Sequence, residues 1–154
     1  MKLQALSILS LTLWLGASTW FTFIQSPLLF RDVPGIAPVL QELLFPRYWV
    51  LGYITLSIAL VLFLVRALFL VDPSLFYKAI VLGVMLCLLA VIQFQITPHV
   101  QALGDQLIQA GPVPLPEVKK AFGKWHGIAM SLNLLVYLVV LITVWTELFS
   151  RKNI

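Results

Sequence analysis

Apolar residues dominate four stretches of this chain, at 3–26, 48–70, 77–97 and 122–148, and polar residues collect between them. Each stretch meets the ~20 residues that a helix needs to cross about 30 Å of hydrocarbon. The connections at 27–47 and 98–121 are long and the one at 71–76 is short. The pattern therefore predicts an all-α fold: a four-helix transmembrane bundle with short amphipathic interfacial helices in its two long loops. In the short connection, Asp72 and Pro73 stop the second span and Ser74 is placed to cap the third. In the first long loop, Pro38 opens a turn in which Val39, Leu40, Leu43 and Leu44 share a face opposite Gln41 and Glu42. That segment is expected to lie along the interface. In the second, Val100, Leu103 and Leu107 recur at helical spacing, and 111–116 forms a stiff proline-rich connector. Leu115, Val118, Phe122 and Trp125 then follow at spacings of three and four, so the last helix is expected to begin near Pro116.

Polar residues inside the spans concentrate towards the long loops. Ser18, Thr22 and Gln25 recur on the first span, Tyr48, Gly52 and Thr55 on the second, Gln93 and Thr97 on the third, and His126, Met130 and Asn133 on the fourth. Such groups are costly against lipid, so they are expected to turn inward and bond one another or water. The expectation is a loop-capped polar recess, with His126, Asn133, Tyr48, Arg31, Gln25, Gln93 and Met130 as its ligand-binding residues. The competing expectation is that these side chains are packing glue between helices. The opposite half reads mostly as Leu, Val, Ile and Ala, with no acid or base deep inside a span.

Composition narrows the class. In 154 residues, 61% are hydrophobic and 10% charged, with a mean hydropathy of +1.02, which excludes an ordinary soluble domain. The loops are too short to build a second core, so residues 1–154 are expected to form a single four-span domain. Lys2, an apolar run and the small residues Gly16, Ala17 and Ser18 mimic a secretory signal. The apolar stretch continues through Trp20, Phe21 and Phe23 to Ile24, so it is read as an uncleaved span. Cys87 is the lone cysteine, which leaves no intramolecular disulfide and no thiolate cluster. The net charge of +4 is scattered among loops and carries no nucleic-acid signature. The five tryptophans, Trp14, Trp20, Trp49, Trp125 and Trp145, fit interface anchoring or packing.

Orientation is argued from basic residues near the span ends. Lys2, Arg66, Lys78, Arg151 and Lys152 mark the side of the termini; Arg31, Arg47, Lys119, Lys120 and Lys124 mark the other, so the numbers tie. Lys2 beside the free α-amine and the tight turn between Arg66 and Lys78 tilt the assignment to cytoplasmic termini. A faint internal echo is also visible. Gln25-Ser26-Pro27 closes the first span and Gln95-Ile96-Thr97-Pro98 the third, as in two similar hairpins, although apolar helices resemble one another by composition alone.

Trp14 and Gly16, Phe21-Thr22-Phe23, Leu28-Leu29-Phe30-Arg31, Leu44-Phe45-Pro46-Arg47-Tyr48, Phe122, His126-Gly127 and Asn133 together resemble, in order, the transmembrane protein 205 family. That resemblance implies a four-helix integral membrane protein. It places Pro27, Arg31, Pro46, Tyr48, His126 and Asn133 among the matched positions, with Pro98 ending the third span. More loosely the chain is similar to copper-resistance-D-like proteins, some of which bind haem through histidines; here only His99 and His126 are present.

Three functions compete. A non-enzymatic binding or stress-tolerance protein would hold a small solute, lipid head group or metal in the recess. A redox protein would bind haem b between His99 and His126. A transporter would move metal or solute as a homo-oligomer, but the usual intramembrane carboxylate relay is missing. Hydrolytic catalysis is disfavoured, because no paired carboxylates, Ser-His-acid set or phosphate-cradling glycine loop is seen.

Overall fold

The computed structural model describes residues 2–33, 37–109 and 116–149. Its elements are α1 (Lys2–Thr19), a π-helical segment π1 (Trp20–Gln25), α2 (Ser26–Asp32), α3 (Ala37–Leu70), α4 (Pro73–Val91), π2 (Ile92–Ile96), α5 (Thr97–Gln109) and α6 (Pro116–Phe149). Among the described residues there is no strand. Four helical stretches are long and apolar enough to cross a membrane: Lys2–Leu29, Glu42–Leu70, Pro73–Gln109 and Pro116–Phe149. The last helix starts at Pro116 as expected, where the fixed φ of proline suits a first helical position. The proline-rich connector expected at 111–116 falls, before Pro116, outside the described residues.

Two expectations about the long loops are corrected. The first span does not end at Pro27, because π1 carries the helix through it into α2. Proline lacks an N–H and its ring collides with the carbonyl four residues back. Here the amide of Ser26 bonds the Phe21 carbonyl, five residues back, and this wider turn lets the helix continue. The same device recurs at Pro98, where the amide and hydroxyl of Thr97 both reach the Ile92 carbonyl, the hydroxyl at 2.9 Å. The echo between the two segments is thus a shared backbone feature as well as a shared composition.

The amphipathic segment at 38–44 is likewise no separate interfacial helix but the opening turns of α3, which includes Pro46 in its interior. No glycine or capping residue stands between Leu44 and Tyr48 to stop the helix. Pro46 removes one backbone bond, and the Arg47 guanidinium donates to the neighbouring Leu43 carbonyl. The side chains of Pro38, Val39 and Gln41 lie outside those described. The amphipathic segment expected after Pro98 is helical, as α5.

The chain divides into two compact units. Unit 1 comprises Met1–Leu86 and Tyr137–Ile154, and unit 2 comprises Cys87–Val136. In unit 1, α1 packs antiparallel along α3. Ser7 meets Arg66, Ser10 donates to the Thr55 carbonyl at 2.7 Å, Ser18 meets the Tyr48 hydroxyl at 3.1 Å, and Phe21 meets Phe45. The small serines let the two backbones approach, as membrane helices require when no water is there to drive apolar faces together. Leu11, Trp14, Leu56, Ala59, Phe63 and Leu82 fill the core, while Leu6, Leu9 and Leu13 face outward to the acyl chains.

The short turn is built by Asp72 rather than Ser74. Pro73 is the first residue of α4, so Asp72 is its cap, and the Asp72 carboxylate accepts the Ser74 amide at 2.8 Å. Hydrogen bonds from the Ser74 hydroxyl and amide hold the Asp72 carboxyl below its ordinary value. A lowered folded value means this stabilisation is complete above the usual carboxylate range and is lost as pH falls through the folded value. Asp72→Ala is expected to cost about 1 kcal/mol at neutral pH. Asp72→Asn should abolish the acid-dependent part, read from thermal unfolding in detergent at pH 7 and in acid. Upstream, the Asp72 amide bonds the Ala67 carbonyl at 3.3 Å, closing α3 with Val71 in the left-handed region at φ 49°. A β-branched residue is strained there, and Val71 is exposed, so Val71→Gly should raise stability by roughly 1 kcal/mol in the same assay.

Candidate functional site

The two histidines belong to unit 2. α5 and the first turns of α6 meet at Gly104, where an added Cβ would lie 3.6 Å from the Phe122 ring. This close approach brings two imidazoles onto aromatic rings. His99 stacks on Trp125 with centroids 5.1 Å apart and 28° between planes. His126 stacks on Phe122, one turn earlier in α6, at 5.5 Å and 10°. The His99 Nδ1 lies 2.7 Å from the Gln95 carbonyl. A carbonyl only accepts, so Nδ1 donates, and in the neutral tautomer Nε2 is the nitrogen with the lone pair. His99, His126 and Met130 are exposed and Asn133 is half-buried. Gln93 is half-buried in π2, and its Oε1 is buried with no hydrogen-bond partner, an acceptor that calls for a donor such as water or a ligand.

The other anticipated residues belong to unit 1 and have different surroundings. Tyr48 is buried: its hydroxyl pairs with Ser18, and its ring stacks on Phe21 at 4.8 Å and meets Trp49 edge-on at 5.1 Å. This places it in the α1–α3 seam as a packing residue. Gln25 is half-buried at the end of π1. The π turn also breaks the α-helical spacing on which the grouping of Ser18, Thr22 and Gln25 rested. Arg31 is exposed and paired with Asp32 at 2.7 Å, and that carboxylate pushes the guanidinium further above its ordinary value. An exposed pair of this kind adds little stability. Among the described residues, no group of three or more His, Cys, Asp or Glu side chains converges to hold a metal ion.

A second polar centre was not anticipated. The half of the chain expected to be mostly Leu, Val, Ile and Ala contains, in unit 1, a buried carboxylate between two cations. Glu147 Oε2 lies 2.9 Å from Arg66 Nη1 and Oε1 lies 2.7 Å from Lys78 Nζ; the Glu147 side chain is 2% exposed and those of Arg66 and Lys78 are 11% and 19%. Arg66 Nη1 also donates to Ser7 Oγ at 3.3 Å, and its guanidinium sits 5.4 Å over the Phe63 ring. Gln4 donates to the Glu147 carbonyl at 3.1 Å, and Ser7 donates to the Gln4 carbonyl at 2.9 Å. α1, α3, α4 and α6 thus tie their ends together around one carboxylate. The signal was present: Glu147 is the sole acidic residue within the four apolar stretches. In the sequence Arg66 and Lys78 read as orientation markers, and no local pattern joins them to Glu147.

An all-helical chain with four membrane-length apolar helices, polar seams between them and charges at their ends defines an integral, multi-pass membrane protein. Residues 9–109 match the model of a domain of unknown function, DUF4149, and the chain belongs to that family. A relative described as an uncharacterized protein, from Aquifex aeolicus (strain VF5), is 30% identical over 149 residues, covering 96% of this chain and 98% of the relative. No solved structure matches the chain.

Proposed function

We propose that this is a non-enzymatic binding protein of the membrane, which takes a small polar solute or lipid head group where α5 meets the start of α6. The carrying observation is the pair of imidazole–aromatic stacks. His99 and His126 supply hydrogen-bonding nitrogens, and Trp125 and Phe122 supply apolar floors beside them. Lys119, Lys120 and Lys124 are exposed on the same opening turns of α6 and favour an anionic ligand. The resemblance to the transmembrane protein 205 family, through His126-Gly127 and Asn133, supports the same place; a stress-tolerance role would follow from binding there. Residues 1–154 act in this reading as one membrane domain with cytoplasmic termini. Mass spectrometry of gently purified protein should find a co-isolated solute or phospholipid that is lost from a His99→Ala, His126→Ala double variant. Equal retention by the parent and the variant would refute the assignment.

A haem b reading stands second, favoured by the His99 Nδ1 contact to the Gln95 carbonyl. That contact puts the proton on Nδ1 and leaves Nε2 as the nitrogen that would hold a haem iron. Stacking occupies the ring faces and leaves the in-plane lone pairs of both histidines available, so the donor chemistry fits. A preparation supplied with haem would then show a Soret band that His99→Ala removes; a colourless protein excludes this reading.

A further inference from the structure

We propose that the cluster of Arg66, Lys78 and Glu147 is a phosphate-binding site, serving the phosphate group of an anionic lipid or free inorganic phosphate. One carboxylate faces two cations, each of its oxygens taken by one of them; the next acid, Asp72 in the turn before α4, acts on Lys78 only through space and bonds Ser74, so among the groups in direct contact two cations share one carboxylate. That arrangement favours an anion in contact with the two cations, where Asp72 makes no direct bond. The donors are also incompletely used. Both hydrogen bonds of Arg66 leave from Nη1, so among the described residues Nε and Nη2 make none, and Lys78 commits one of its three N–H groups to Glu147. A guanidinium edge beside an ammonium matches a tetrahedral phosphate: the fork binds two oxygens and the lysine adds a point charge.

Depth supports the same chemistry. Arg66 stands one turn before the end of α3, Lys78 in the second turn of α4 and Glu147 within one turn of the end of α6. These positions lie at the membrane boundary, where lipid phosphates are found. Lys78 is the most accessible of the three and marks the side from which a phosphate arrives. A phosphodiester would take the donors that Glu147 leaves free and would compete with Glu147 for the same two cations.

The test uses the full chain in neutral phosphatidylcholine nanodiscs, titrated with short-chain phosphatidylglycerol or with inorganic phosphate, with binding read by native mass spectrometry. The parent should bind at least one of the two probes in preference to added phosphatidylcholine. Binding of phosphatidylglycerol alone identifies a lipid site; competition between the probes identifies a general phosphate site. Lys78→Gln should weaken binding about tenfold, the loss of one charge-assisted contact, and Lys78→Arg should preserve it. Glu147→Gln removes the competing negative charge and should strengthen binding by about the same factor. A purely structural ion pair would give Lys78→Gln and Glu147→Gln variants with shifts of the same sign. That result, or no preference for either probe in the parent, overturns the proposal. Helix content measured on each sample by circular dichroism, with Lys78→Arg as the folded control, separates loss of binding from loss of fold.

Discussion

Replacing Glu147 by alanine lowers the stability of the detergent-solubilised protein by about 3–5 kcal/mol, the expected cost of removing one partner from a buried ion pair. The loss arises less from the missing attraction than from what stays behind. Arg66 and Lys78 would face each other in a poorly solvated place, with Ser7, among the described residues, as the polar neighbour that the guanidinium still contacts. Thermal or denaturant unfolding followed by circular dichroism reads the effect. The triple variant Arg66→Met, Lys78→Met, Glu147→Leu should recover most of it, because apolar side chains remove the desolvation cost of all three charges at once. If the triple variant is as unstable as Glu147→Ala, the helix ends depend on the ionic contacts themselves and not on charge balance.

The second large effect is expected at Trp14. It is fully buried, lies one turn from both Ser10 and Ser18 on the seam with α3, and meets Tyr137 at 6.4 Å. Trp14→Ala should cost about 3–5 kcal/mol, since it empties the largest space in that seam. Trp14→Phe should cost far less. The indole Nε1 is buried without a hydrogen-bond partner, so removing it forfeits no bond and relieves an unmet polar group. The same unfolding assay distinguishes the two, and equal losses would mean that the indole N–H has a partner such as bound water.

Much of the architecture was legible because hydropathy reports the bilayer directly. Leu3 to Ile24 and the other apolar runs fall within membrane-length helices, and the rise of amphipathic spacing after Pro116 marks where α6 begins. Prolines were harder to read. Pro27, Pro46 and Pro98 look like loop signals in isolation, yet all three sit inside or beside continuous helix. Two are accommodated by π turns, whose wider spacing leaves no 3.6-residue signature in a sequence. At Pro46 the chain bears the loss of one hydrogen bond. Asp72 and Ser74 show the same difficulty on a smaller scale: both are good capping residues, and the position of Pro73 decides between them.

The candidate sites were legible in unequal measure. His99 and His126 stand out in an apolar chain, but the rings they stack on, Trp125 and Phe122, could be paired with them only once α5 and α6 were seen to meet at Gly104. Tyr48 was noticed for its polarity and is held by Ser18 and Phe21 as part of a packed seam. Glu147 was passed over because its partners lie 81 and 69 residues away, and no periodicity connects them. Long-range ion pairing is a property of topology, which hydropathy alone does not specify.

The most direct measurement is a double-mutant cycle between Arg66 and Glu147 in the full chain, using Arg66→Gln, Glu147→Gln and the pair, with unfolding free energies measured in one detergent. If a buried carboxylate ties the ends of these membrane helices together, the two substitutions couple by about 1.5 kcal/mol or more. Losses that simply add, within about 0.5 kcal/mol, would contradict it.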